Sequence, residues 1–457
     1  MVYLNKERLC DCKLVYTLII KNCKIPLFND IIEGDLLIDN GKIAGFSKSG
    51  LARADNYYDA KGLLALPGGI DAHVHFRDPS SNKAEDFESG SLAAAHGGIT
   101  TVADMPNTEP PVTNIEALRL KLERIKGRSY VDYMLYGGVG KTTLKNIESL
   151  AKEGVAGIKT FMISRFPALL SPDNETIKAA ILEAKKANIP LLIHAEDLTV
   201  ANNSINEEVK SYAIKRGCLC ESLAVARVAE LNKQLKGYVH FVHISCANSL
   251  QLIHFYKSLN TQITIETAPH YLSLTMDDLE KKGPYAKVDP PLRMKRDVEE
   301  LLNGLRNGDI DFIASDHAPY TKEEKDIGFK DIELAPSGMP GVETTLPFLL
   351  NLFNKGLLSL NRLIEVFSTN PAKFLGIYSR KGVLRLGSDA DLVLINLKQE
   401  FKVSSENLLT KTKQSIFEGM SFIGKPIATF LRGVLIMENM EIRSKPIGSF
   451  IKRSSNI

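Results

Sequence analysis

His73 and His75 stand one residue apart at the end of the apolar run GGIDAHVHF (68–76). Side chains two apart on a strand point to the same face, so both imidazoles can reach one ion. Alone, an H-x-H pair is as well read as two hydrogen-bonded structural histidines. The other runs shift that balance. His194 ends LLIHAED (191–197), His243 ends FVHIS (241–245) and Asp316 ends IASDHAP (313–319), each just after residues suited to a buried interior. A helix N-cap would account for Asp316, and a satisfied core imidazole for His194 or His243. Neither accounts for polar groups recurring at four strand ends. Of the remaining histidines, His96, His240, His254 and His270 are read as structural, and His317 is left open.

Lys159 is the most informative single residue, because in VAGIKTFM (155–162) it is flanked by Ile158 and Phe161 on what should be an interior strand. Burial lowers the pKa of an amine. A neutral ε-amine reacts with carbon dioxide to give a carbamate, an anionic group that can bridge two divalent ions. The plain alternative is a salt-bridged lysine. Two pairs of imidazoles in want of a bridging anion favour the carbamate, which makes Lys159 an N6-carboxylysine. The metal-ligand candidates are therefore His73, His75, Lys159, His194, His243 and Asp316.

These residues need a scaffold that brings distant strand ends to one rim. Between Leu66 and Gly376, eight strand-like runs alternate with amphipathic stretches: residues 68–76, 100–106, 130–138, 155–162, 189–196, 238–245, 262–269 and 310–319. Helices are expected from Phe87 to His96, from Ile115 to Lys126, from Pro172 to Ala187 with Ser171 as N-cap, and from Asp297 to Arg306. Eight βα units predict a (β/α)8 TIM-type barrel, whose catalytic face lies at the C-terminal ends of the strands, where the polar residues fall. The flanks are strand-like and broken by Gly or Asn-Gly turns, with Gly41 and Gly387 placed at hairpins. Both chain ends are expected to pair into one small composite β-sandwich. The division is 1–64 for its N-terminal part, 65–376 for the barrel, and 377–457 for its C-terminal part and a polar tail.

Composition agrees with a large globular protein, since 457 residues with 44% hydrophobic and 24% charged content exclude fibrous, disordered and disulfide-scaffold classes. A net charge of +3 argues against nucleic-acid or membrane-surface binding. No apolar stretch approaches the ~20 residues needed to cross a bilayer. The first residues, MVYLNKERLCDCK, lack the apolar core of a signal peptide, so a cytoplasmic, reducing location is expected. Cys10/Cys12 and Cys218/Cys220 are C-x-C pairs rather than zinc-ribbon spacings, and the six cysteines are expected to be buried or idle thiols.

The chain resembles the cyclic amidohydrolase branch of the amidohydrolase superfamily, which includes dihydroorotases, allantoinases and dihydropyrimidinases. The resemblance spans nearly the whole chain and rests on PGGIDAHVHFRDP (67–79), EDFESGSLAAAHGGITTVADMPNTEPP (85–111), GIKTF (157–161), LLIHAED (191–197), VHISCANSL (242–250), ETAPHYL (266–272), KVDPPLR (287–293), ASDHAP (314–319) and APSGMPGVETTLP (335–347). It implies two zinc ions per subunit: one on His73, His75, Lys159 and Asp316, the other on Lys159, His194 and His243. The composite β-sandwich is also a family feature.

Arg77 stands where dihydroorotases carry arginine, and Asn107 in MPNTEPP follows the dihydroorotase pattern. A solvated arginine and a turn asparagine are the alternatives. A ring carboxylate suits an arginine fork, so the resemblance implies reversible cyclisation of N-carbamoyl-L-aspartate to dihydroorotate in pyrimidine synthesis. The implied route uses a binuclear zinc hydroxide, with Asp316 carrying the proton. Two departures are Asp289, where such relatives often have Asn, and Tyr320, where they often have His. Ser337 and Gly338 resemble the family's backbone contacts to the ring, on a loop (320–341) expected to move when the site is empty. An allantoinase or hydantoinase is the nearest alternative, and a non-catalytic scaffold the remote one. A homodimer or larger assembly, and association with an aspartate transcarbamoylase, are implied by the resemblance only.

Overall fold

The computed structural model of the chain describes residues 15–27, 30–80, 83–164, 166–201 and 209–454. Cys10, Cys12 and the last three residues of the tail lie outside these. The N-terminal flank forms β1 (Val15–Leu27), β2 (Asp30–Asp39), β3 (Lys42–Ser47), β4 (Arg53–Asp59) and β5 (Leu64–Pro67). Asn40 and Gly41 turn β2 into β3, both with positive φ, which the twist of a two-residue hairpin requires.

The barrel strands are β6 (Gly69–Val74), β7 (Ile99–Asp104), β8 (Asp132–Leu135) continued by β9 (Gly137–Gly138), β10 (Ile158–Phe161), β11 (Leu191–His194), β12 (Val239–Phe241), β13 (Ile263–Thr267) and β14 (Phe312–Ile313). Neighbouring strands pair in parallel, and a parallel bridge between Val74 and His317 joins the eighth run to the first. The barrel is thereby closed. Its interior is filled by Ile70, Ala103, Met134, Leu192 and Phe312, while Val102, Leu135, Ile193 and Phe241 face the helical layer. Lys159 lies opposite Leu192 in the β10–β11 register, which puts an amine on the interior side.

The C-terminal flank supplies β15 (Leu392–Lys402), β16 (Ser421–Leu431), β17 (Val434–Glu438) and β18 (Glu441–Ile442). β15 pairs antiparallel with β5, Leu392 opposite Pro67 and Ile395 opposite Leu64, and this seam joins both chain ends in one nine-stranded sheet. Gly387 keeps a positive φ but lies in the loop before β15, where its N–H bonds the Ile43 carbonyl.

The helix Phe87–His96 has the expected limits, and Asp86 and Ser89 form a capping box at its start. The helix expected from Pro172 instead runs Asn174–Lys186, capped by Asp173, whose carboxylate accepts the Thr176 N–H at 2.8 Å. Ser171 is drawn inward and accepts a 2.7 Å hydrogen bond from Thr160 Oγ1. The thiol expectation also needs correction. Cys218 and Cys246 are joined in a disulfide, whereas Cys23 and Cys220 are free and buried. Among the described residues, no helix is long and apolar enough to cross a membrane.

Candidate active site

The strand ends deliver their polar groups to one rim. His73 and His75 bring their Nε2 atoms to 3.2 Å of each other, and Asp316 Oδ1 lies 3.4 and 3.3 Å from them. On the adjacent side, His194 Nδ1 faces His243 Nε2 at 3.0 Å. The His73 and His243 rings are 5.5 Å apart, so the two pairs form one cluster. Arg77, His243 and Asp316 hold left-handed backbone conformations (φ 59°, 41° and 48°), a strained state that non-glycine residues keep mainly where surroundings impose it.

The far nitrogen of three imidazoles is already committed. His73 Nδ1 donates to Glu266, His75 Nδ1 donates to Asn107 Oδ1 at 2.8 Å, and His194 Nε2 donates to Glu196 at 2.8 Å. Each commitment fixes the tautomer and leaves the facing nitrogen as a lone pair. Burial pushes His75 down to about 4, and it lowers His194 and His243, so these three rings favour the neutral form near pH 7. The ring nitrogens that face each other at 3.2 Å (His73–His75) and 3.0 Å (His194–His243) are of the type and spacing that could hold divalent ions.

Lys159 Nζ is fully buried and meets no hydrogen-bond partner among the described residues. Burial pushes its amine down to about 7, against the pull of Glu266 and Asp316. The aromatic face of Phe161, 4.8 Å away, offers little solvation in exchange. An unpartnered amine of lowered pKa beside two pairs of imidazoles fits a divalent-ion centre bridged by a carbamate. The residues present also include a second ring of supports, as metal-binding histidines usually have.

The cluster opens into a cavity of about 400 Å³ lined also by Arg77, Asn107, Asp289, Tyr320, Ser337 and Gly338. All the residues singled out in the sequence are thus brought to one place, though not always facing as expected. Asn107 spends its oxygen on His75, which leaves its NH2 as donor. Tyr320 places its ring under the Arg77 guanidinium, 4.2 Å from ring centre to Cζ, and Arg77 Nε donates to the Pro319 carbonyl. Asp289 pairs with neither Arg77 nor Arg293, and instead takes hydrogen bonds from Arg216 and Tyr212. Gly338 is required by space, since a Cβ there would meet the Ala318 carbonyl oxygen at 2.5 Å. The loop carrying Ser337 and Gly338 is tied down by two buried lysines. Lys287 Nζ donates to the Ala335 carbonyl at 2.7 Å, and Lys325 Nζ to the Pro336 carbonyl at 2.8 Å.

Glu196, Glu266 and Arg216 escaped the reading of the sequence. Glu196 and Glu266 do carry a signal: both end barrel runs just as the histidines do. Arg216 carries none, because it reaches the site from a helix-to-helix turn by contacts that have no period. His240, read as structural, stacks on Phe312, meets Phe374 at a tilt and holds the second oxygen of Glu266 at 3.2 Å.

A model of the amidohydrolase family matches residues 64–436. The dihydroorotase of Methanosarcina acetivorans is 37% identical over 449 residues, 95% of this chain and 95% of that protein. The L-hydantoinase of Paenarthrobacter aurescens is 35% identical over 453 residues, 96% of this chain and 98% of that protein. A solved structure of L-hydantoinase from Arthrobacter aurescens superposes with a TM-score of 0.91 at 34% identity, covering 96% of this chain and 100% of that one.

Proposed function

The chain belongs to the amidohydrolase family, in its cyclic amidohydrolase branch, and from that premise we propose that it is a dihydroorotase, interconverting N-carbamoyl-L-aspartate and dihydroorotate. The observation that carries the choice of ring is Arg77. Its guanidinium is only 7% exposed, stacks on Tyr320 in the cavity, and pairs with no carboxylate among the described residues. A buried guanidinium without an anion is costly, and a planar carboxylate on the substrate supplies the missing partner in two parallel hydrogen bonds.

His73, His75, Asp316 and the Lys159 carbamate would hold one zinc ion, and the carbamate with His194 and His243 the other. When bound, such ions lower the pKa of water and polarise a ring carbonyl. The chain's own groups do the rest. Arg77 and the NH2 of Asn107 hold the substrate carboxylate, and thereby set the ring amide against the metal cluster. Asp316 carries a proton between water and the departing ring nitrogen. Asp289 does not repel the carboxylate, because Arg216 and Tyr212 engage it.

A hydantoinase is the second reading, favoured by the end-to-end likeness to an L-hydantoinase and by Tyr320, which stands where dihydroorotases often have His. Parallel assays on dihydroorotate, hydantoin, allantoin and dihydrouracil separate the two. The decisive variant is Arg77→Met: turnover of dihydroorotate collapses while metal content stays at the wild-type level. Unchanged kinetics on dihydroorotate in that variant would defeat the assignment.

A further inference from the structure

Arg216 lies outside any strand end, yet it touches both the metal cluster's supports and the substrate cavity. Its Nε donates to Glu196 Oε1 at 3.2 Å, and its Nη2 also meets that carboxylate. Glu196 in turn accepts the His194 Nε2 proton at 2.8 Å. The guanidinium is the only cation that contacts Glu196 among the described residues, so it fixes the carboxylate that fixes the ring. Its own backbone is held from the other side, where the Arg216 carbonyl accepts a 2.5 Å hydrogen bond from Arg293 Nη1, and Arg293 Nε donates to Ser245 Oγ at 2.9 Å.

The Cys218–Cys246 disulfide spans the same two places. Cys218 is two residues beyond Arg216 and opens the helix Cys218–Leu235. Cys246 is three residues beyond His243 and is buried at the N-cap of the helix Ala247–Ser258. A covalent bond therefore ties the turn that carries Arg216 to the strand end that carries His243.

We propose that Arg216 is a positioning residue for the His194–His243 half of the metal centre, and that the Cys218–Cys246 disulfide is the tether that keeps it in place, so that a dithiol reductant controls how firmly that half holds its ion. The inference rests on the metal-centre reading given under Proposed function. Cys218 is the partly exposed residue of the pair and Cys246 the buried one, so a reductant thiolate attacks Cys218 Sγ and expels Cys246 Sγ, which takes up a proton. The reductant's second thiolate then attacks the mixed disulfide, frees Cys218 as the second thiol and leaves the reductant as its own disulfide. Two electrons and two protons pass to the protein. The Arg293 hydrogen bonds, and the one that the Cys246 N–H donates to Glu221 Oε1 at 3.1 Å, use no sulfur, so the effect is a loosening of the support and leaves the fold intact.

The test uses the full-length, zinc-loaded protein, challenged with excess chelator and followed with a chromogenic zinc indicator. It is run before and after treatment with a phosphine reductant, with free thiols counted in both states. Reduction should expose two further thiols and release one of the two ions roughly 10-fold faster, within the range by which supports of metal ligands alter affinity. Cys218→Ser should release it at the fast rate whether or not reductant is present. Arg216→Met should do the same, and Arg216→Lys should recover part of the retention, which a merely misfolded variant would not. Two new thiols with unchanged zinc release overturn the proposal, as does a thiol count that reduction fails to raise. A protein that binds no zinc in either state sinks the metal-centre reading and takes this inference with it, whereas zinc held equally well in both states defeats the inference alone.

Discussion

Among the described residues, two fully buried clusters bring three potential ligand atoms within 4.8 Å of one another, each with a buried lysine nearby, and they are opposites. At the rim, His73, His75 and Asp316 stand near Lys159, whose amine has no partner among the described residues. At the junction of barrel and sheet, Asp132, Asp389 and Asp391 converge on Lys381, which lies 2.7 Å from Asp132 and 3.4 Å from Asp389, and also meets Asp391. Arg432 adds a second cation on Asp132, and Arg380 and Lys42 reach Asp389. The junction carries its own counter-charges. The rim gathers imidazole nitrogens beside a lysine that no carboxylate neutralises, so its own charges do not close it and it could accept cations from outside. Burial acts downward on both lysines. At Lys381 three carboxylates outweigh it and raise the pKa, whereas at Lys159 it prevails and brings the amine to about 7. Ligand-like geometry alone does not separate a functional cluster from a structural one. The separating quantity is whether the protein's own charges close the cluster.

Removing the lysines should break the comparison in opposite ways. Lys159→Met should cut kcat/KM by at least ~10³-fold, about 4 kcal/mol of transition-state stabilisation, and lower the zinc found by elemental analysis. Its urea midpoint without metal should not fall. Lys381→Met strands buried carboxylates, and should therefore cost about 3–5 kcal/mol of stability in urea while zinc per folded chain stays at the wild-type value. If Lys381→Met lost zinc and kept its stability, the roles given to the two clusters would have to be exchanged.

A smaller step tests whether the rim's supports matter as its ligands do. Glu266 receives His73 Nδ1 on one oxygen and His240 Nε2 on the other. Glu266→Gln keeps the shape but offers one acceptor where two are needed, so the His73 tautomer is no longer fixed. Zinc affinity should fall about 10–100-fold in chelator competition, with stability little changed. Wild-type affinity in that variant would mean that His73 is oriented by packing alone.

The sequence displays the rim far better than the junction, for a physical reason. A parallel barrel repeats one local pattern eight times, and its chemistry sits at one fixed position in each repeat. His73, His194, His243 and Asp316 were legible because packing alone rarely sets a polar residue at the close of an apolar run, and does so still more rarely at four strands of one barrel. The helix Phe87–His96 was legible to the residue because its cap is local. The contacts that were not legible join residues far apart by packing alone. His73 meets Glu266 across 193 positions and Arg432 meets Asp132 across 300. Asp173 displaced Ser171 as a helix cap because both offer an oxygen at a plausible spacing, and only the Thr160 hydroxyl inside the barrel decides between them. The disulfide between Cys218 and Cys246 was hidden in the same way, since the 27 intervening residues carry no sign that a helix-to-helix turn and a strand-to-helix turn meet.

The smallest predicted effect is also the most specific to Lys159. In metal-free protein kept without carbon dioxide, the folded amine titrates near 7, whereas in the unfolded chain it titrates near ~10.4. Between these values the unfolded state binds more protons, so the contribution of this residue to stability rises with pH. Lys159→Met has no such proton. Its stability advantage over the wild type should therefore be largest at or below pH 7 and should shrink by about 1 kcal/mol between pH 7 and pH 8. Urea denaturation of both proteins at the two pH values measures the difference directly, and other titrating groups cancel in it. Lys381 supplies the control, because its raised pKa means that its stabilising contribution is fully present throughout this window and is lost only as pH rises through the raised value. A gap between Lys159→Met and wild type that stays constant from pH 7 to pH 8 would show that the amine is charged in the folded protein, and a charged Lys159 cannot be the nucleophile that captures carbon dioxide.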